Sequence, residues 1–174
     1  MRNLRRVALV LMAALVFAGC DDDNPAAPSD PNSFTLTAAL SPANEVPPVT
    51  NADAGASGSV TVTLVVTRDA ANAVTGGTAN FSVNLNGFPP NTTLTGAHIH
   101  QAAAGTNGSV VVNTGLANGE VVLANGSGSF TKNGISVSAA TANGIVSGVS
   151  GFYFNVHTQI NPGGAVRGQL SIQP

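Results

Sequence analysis

The sequence predicts an all-β fold, an antiparallel sandwich or barrel in a single domain, and three observations lead there. Apolar and polar residues alternate over several short stretches, the period-2 pattern of strands with one buried face. Asn-Gly dipeptides punctuate the chain at 86–87, 107–108, 118–119, 125–126, 133–134 and 143–144, and both residue types tolerate the positive φ of tight turns. With 20 Gly, 10 Pro and only 8% charged residues in 174, the composition suits strands and turns rather than helices rich in Glu, Lys and Leu. A chain this long buries roughly two thirds of its unfolded surface, so it needs neither metal nor disulfide to fold. Its one cysteine excludes an intramolecular disulfide.

The elements follow in order. Phe34, Leu36, Ala38 and Leu40 share one phase of a half-buried strand, which ends at Ser41-Pro42. Glu45-Val46-Pro47-Pro48 lies in a segment that proline keeps out of a central strand. Residues 58–67 alternate again through Val60, Val62, Leu64 and Val66, and residues 78–85 answer with Phe81, Val83 and Leu85, as in an antiparallel pair. Shorter strands are expected at 94–100, 109–113, 120–124 and 127–131, between Asn-Gly turns. Residues 136–149 are ambiguous: a short helix near 138–148 suits the alanines, and Asn143-Gly144 in its middle argues against it. Residues 151–170 read as strand, Asn161-Pro162-Gly163-Gly164 turn, and strand.

The first residues carry a different signal. Arg2, Arg5 and Arg6 precede an apolar run from 7 to 17, shorter than the roughly 20 residues that span a bilayer, and Ala18-Gly19-Cys20 follow. Residues 15–20, LVFAGC, resemble a bacterial lipobox, which implies a signal peptide over 1–19 cleaved before Cys20 and lipidation of that cysteine. Residues 20–33, with four aspartates and three prolines, then read as an extended tether to a folded domain over 34–174. The expected location is the bacterial cell envelope, on its periplasmic or cell-surface face, with the membrane as partner through Cys20. Cleavage would leave Arg68, Lys132 and Arg167 against eight acids, a charge near −5. That balance excludes nucleic-acid binding through a basic surface.

Strand phase locates the chemistry. His98 and His100 point the same way, with Ile99 opposite. Tyr153, Asn155 and His157 share one phase, and Phe152, Phe154 and Val156 the other; beyond the turn, Arg167 and Gln169 oppose Val166, Leu170 and Ile172. With these strands adjacent, His98, His100, His157, Asn155 and Arg167 form one polar surface on the outer face of the sheet. Three imidazoles there are candidate zinc or copper ligands with an open fourth position. The competing reading is a hydrogen-bonded network that locks loops and strands. Arg167 has two readings likewise, an anion site or an internal ion pair with Glu45 that ties the Pro-rich segment to the last strand. No nucleophile–base set or phosphate-binding Gly-rich loop is suggested, and the single thiol is consumed by lipidation, so a non-catalytic binding or structural module is expected, with a metal-binding protein or metal-dependent enzyme using the three histidines as the alternative.

Three ordered blocks, Asn44-Glu45-Val46-Pro47-Pro48-Val49, Gly96-Ala97-His98-Ile99-His100, and Tyr153-Phe154-Asn155-Val156-His157-Thr158 with residues 164–170, resemble the signature of the CHRD domain, found repeated in chordin and singly in bacterial secreted proteins. The resemblance spans residues 34–172 and implies an immunoglobulin-like sandwich or barrel without fixing its biochemical function; an envelope or extracellular protein or a glycan is the candidate ligand. It carries over to Glu45, Pro47, Pro48, His98, His100, Asn155, His157, Thr158, Arg167 and Gly168. One position departs from the pattern: relatives often hold an acid two places before the arginine, and here Ala165 stands there. The paired histidines are also similar to those of copper/zinc superoxide dismutase, but that enzyme uses more histidines than the three present.

Overall fold

The structure is a computed structural model and describes residues 30–173. The expected signal peptide, Cys20 and most of the expected tether lie outside the described residues. Two antiparallel sheets face each other as a sandwich without closing into a barrel.

The first sheet is built from the clearest alternation in the sequence. Strands β1 (Ser33–Leu40), β2 (Ser57–Arg68) and β3 (Val74–Asn86) pair in register, so that Leu36 stands opposite Val62 and Val62 opposite Phe81. Each of these three side chains is at most 1% exposed. Burying one such side chain stabilises the fold by about 1.5–3 kcal/mol.

The second sheet runs β5 (Ser109–Asn113), β4 (Thr92–Gln101), β8 (Phe152–Thr158), β9 (Val166–Gln169), with the short β6 (Val122–Leu123) also paired to β4. Its inward phase supplies Ala97, Ile99, Phe154 and Val156 to the core, and Phe81 meets Phe154 across the sandwich at 5.9 Å between ring centroids.

Local sequence explains where the middle of the chain departs from expectation. Asn133-Gly134 makes no hairpin turn: β7 (Gly128–Ser138) runs straight through it against β3. Gly134 takes φ +71° and donates its N–H to Asn80 Oδ1, so the dipeptide forms a bulge where the register shifts between Ala79 and Phe81. The expected strand at 120–124 shrinks to the two residues of β6. Helix α1 (Ala139–Gly148) does form, capped by the Ser138 side chain, which accepts from the Thr141 N–H. Gly144 sits inside the helix because the Phe152 ring packs on it; a Cβ there would stand 3.0 Å from the ring.

The C-terminal stretch belongs to both sheets. Arg167 on β9 exchanges backbone hydrogen bonds with Ser41, just beyond β1, and after Leu170 the chain enters β10 (Ser171–Ile172), which pairs with β1 in the first sheet. Gly168 lies at the crossing, where a Cβ would fall on the Ala39 carbonyl oxygen. Ile172, expected in the core, is 37% exposed at this edge.

Candidate metal centre

The three histidines converge as strand phase required. Across β4, β8 and β9 the rows read Gly96 opposite His157, His98 opposite Asn155 and Arg167, and His100 opposite Tyr153 and Gln169. Their candidate ligand atoms all lie within 4.8 Å of one another. Gly96 makes this convergence feasible: a Cβ on it would press on the His98 ring at 3.2 Å, so its absence lets that ring lie toward His157.

The expectation of an outward polar surface is corrected. Every residue of β8 is buried on both faces, with Asn155 2%, His157 9% and Arg167 1% exposed. Three loops lie over this face: residues 41–48, 102–108 and 159–164. The side chains of the second phase are polar because they tie those loops down, which hydropathy alone reads as solvent exposure.

Hydrogen bonds fix the tautomers of two rings. His100 Nδ1 donates to the Gly108 carbonyl at 2.9 Å, and His157 Nδ1 donates to the Pro162 carbonyl at 2.9 Å. A carbonyl only accepts, so in each neutral ring the lone pair is left on Nε2. His98 Nδ1 meets His157 Nε2 at 3.0 Å. His100 Nε2 is buried with no partner at all. Asn155 Oδ1 also stands 3.0 Å from His157 Nε2, where an acceptor faces a lone pair; the contact becomes favourable with a cation beside both atoms or with the amide turned to offer Nδ2.

The electrostatics favour the neutral form of His98 and His157. Burial pushes His98 down to about 4, with the neighbouring His157 and His100 adding to the effect. His157 is lowered mainly by burial, partly opposed by its bond to the Pro162 carbonyl and reinforced by His100. Neutral imidazoles are the form that ligates metals.

Arg167 and Tyr153 organise the flank. The guanidinium lies 3.4 Å from the Tyr153 ring centroid, and His100 stacks on the same ring at 4.7 Å and 7°. Arg167 donates to Thr106 O at 2.6 Å, Asn107 Oδ1 at 3.2 Å and Ala103 O at 3.4 Å, which holds the loop that presents Gly108 to His100.

The expected Glu45–Arg167 ion pair does not form: the one salt bridge among the described residues joins Lys132 to Glu120. The guanidinium reaches backbone carbonyls of the 102–108 loop instead. The Pro-rich segment is still tied to β9, through Asn44 Nδ2 donating to the Arg167 carbonyl at 3.0 Å. Among the described residues no carboxylate joins the histidine group.

Sequence reasoning missed Asp53, which is fully buried. It accepts from Thr158 Oγ1 at 2.7 Å and Asn161 Nδ2 at 2.6 Å, and so anchors the turn that carries Pro162. It missed the Gly108 and Pro162 carbonyls as well, since a backbone oxygen leaves no mark in residue identity.

This assembly of a two-sheet sandwich with a partly buried His-x-His strand beside a buried Asn-x-His strand defines a small all-β module with a polar centre under loops. The family model described as CHRD domain matches residues 36–170, and the chain belongs to that family. No curated protein and no solved structure matches it significantly.

Proposed function

We propose that this chain is a lipid-anchored CHRD-domain protein of the bacterial cell envelope that holds a transition metal, zinc or copper, through His98, His100 and His157 as a non-catalytic binding module. The observation that carries the metal reading is His100 Nε2, a buried lone pair without a partner whose ring is held in place by Gly108. An orphaned buried acceptor costs about 1–3 kcal/mol, and a cation shared with His157 Nε2 and His98 removes that cost. Metal–nitrogen bonds of about 2.0–2.1 Å set nitrogens about 3.3 Å apart in a tetrahedron, so small side-chain rotations bring the group to ligation distance. The Gly108 and Pro162 carbonyls are the outer-shell acceptors that metal-binding imidazoles require. With three neutral ligands, a divalent ion keeps its charge and draws water or an anion to the fourth position.

Elemental analysis of protein purified without chelators or a polyhistidine tag tests the reading. About one zinc or copper per chain is expected, with loss in a His100→Ala variant that retains its far-ultraviolet circular dichroism. Absence of metal, together with no change in melting temperature on adding either ion, would leave the histidines as a hydrogen-bonded closure. The anchor rests on the lipobox-like residues 15–20. A Cys20→Ser variant is expected to leave the membrane fraction, and a processed variant that stays there contradicts the anchor.

A further inference from the structure

Away from the histidines, the fold buries a carboxyl group and gives it no answer. Glu45 is 6% exposed, and its Oε1 is buried without a hydrogen-bond partner. Two cavities lie against it. One, of about 410 Å³, extends past Val46 and Ala104 toward Arg167; the other, of about 370 Å³, reaches Asn107 and the Gly163-Gly164 turn. Gly164, at φ +136°, makes room for the group, since a Cβ there would stand 2.6 Å from Oε1 and 2.7 Å from Oε2.

The neighbours offer acceptors. Both terminal nitrogens of Arg167 donate to residues 103–107. Asn44 gives its Nδ2 to the Arg167 carbonyl, and Gln169 gives its Nε2 to the Ala102 and Ser150 carbonyls. Among the described residues no hydrogen bond reaches either amide oxygen, and both residues line the larger cavity. An occupant that brings donors and accepts nothing fits this wall. Ala43, Val46, Pro48 and Ala104 add an apolar lining suited to a methylene stem.

We propose that the cleft at Glu45 binds an alkylammonium group, the chemistry of a lysine side chain or a free primary amine, with the Glu45 carboxylate as its counter-ion. Burial holds this carboxyl up at about 7, with Arg167 opposing the rise, so an arriving cation is matched to a group that otherwise takes up a proton. Arg167 lowers the attraction without removing it, because the guanidinium is bound within its own loop. This site is separate from the histidine group, and its failure leaves the metal reading untouched.

Titration with n-butylammonium chloride at pH 7.5, followed in amide ¹H–¹⁵N spectra, tests the proposal. Saturable shifts are expected at residues 43–46, 104–107 and 164, with at least tenfold weaker binding in Glu45→Gln. Binding of N-acetyl-lysine-amide more tightly than butylammonium marks a protein side chain as the occupant, and the reverse order marks a free amine. Equal shifts from n-butanol, equal binding by Glu45→Gln, or no saturable shift overturns the proposal. The variant's melting temperature supplies an independent check: an unanswered carboxyl predicts that Glu45→Gln melts no lower than the parent at pH 7.5, and a marked drop shows Glu45 to be a structural partner instead.

Discussion

Glu45 and His98 should impose opposite pH dependences on stability, and replacing Glu45 by Gln separates them. Glu45 titrates near 4.5 when unfolded and near 7 when folded, so the native state holds the proton more tightly between those values. Stability therefore falls as pH rises from 4.5 to 7. Each pKa unit is worth about 1.4 kcal/mol, which makes the full effect about 3 kcal/mol, or about 2 kcal/mol once solvent at the cavity mouths is allowed for. His98 works the other way. Its value drops from 6.5 to about 4, so the unfolded chain takes up the proton first as pH falls, and stability rises with pH between 4 and 6.5. His98 is half-exposed, which reduces its contribution to about 1–2 kcal/mol. His157, lowered in the same direction, adds to this rise. The parent should therefore show a nearly level profile over pH 4.5–7, where the two slopes cancel. Glu45→Gln should match it near pH 4.5 and exceed it by about 2 kcal/mol at pH 7. Urea unfolding of metal-free protein at half-unit pH steps measures the difference, in which shared carboxylates drop out. A variant offset that does not change with pH, or a variant less stable at pH 7, refutes the reasoning.

Three further variants test other contacts. Arg167→Lys removes the planar fork that reaches Thr106 O, Ala103 O and Asn107 Oδ1, and should lower stability by about 2–4 kcal/mol in urea unfolding. Because the 102–108 loop then holds Gly108 less firmly, zinc affinity by competition titration should drop about tenfold although all three histidines remain. Gly168→Ala should cost about 3 kcal/mol or more by forcing β9 off β1, whereas Gly163→Ala, with nothing within 4 Å of the new methyl, should stay within about 0.5 kcal/mol of the parent by thermal melting.

Strands β1, β2 and β3 were legible because each buries one face only. Val60, Val62, Leu64 and Val66 alternate with solvent-facing residues, and period 2 then states both strand and core. In the second sheet the alternation remained but its meaning changed. Tyr153, Asn155 and His157 were placed on the correct side of β8, yet that side is roofed by loops, and residue polarity does not distinguish water from backbone carbonyls as partner. The convergence of His98, His100 and His157 followed from phase and adjacency. Which nitrogen carries each proton, and which one lacks a partner, depends on Gly108 and Pro162, whose side chains contribute nothing to the bond. The Asn-Gly dipeptides show the same division. Gly87, Gly119, Gly126 and Gly134 all take positive φ, but only pairing with β3 makes the last of these a bulge in one strand rather than a turn between two.

The meeting of β1 and β10 orders events when the domain folds. Leu36, near the start of the described chain, stands opposite Ile172, the last but one of the described residues. Between them Arg167 and Ser41 join residues just beyond β1 to β9. Nearly the whole domain must therefore leave the ribosome before this edge can assemble, and contacts so distant in sequence form slowly. Under the export that the proposed lipid anchor requires, that delay would be useful: the structure that would jam a translocation channel would complete only after the last strand had emerged on the far side.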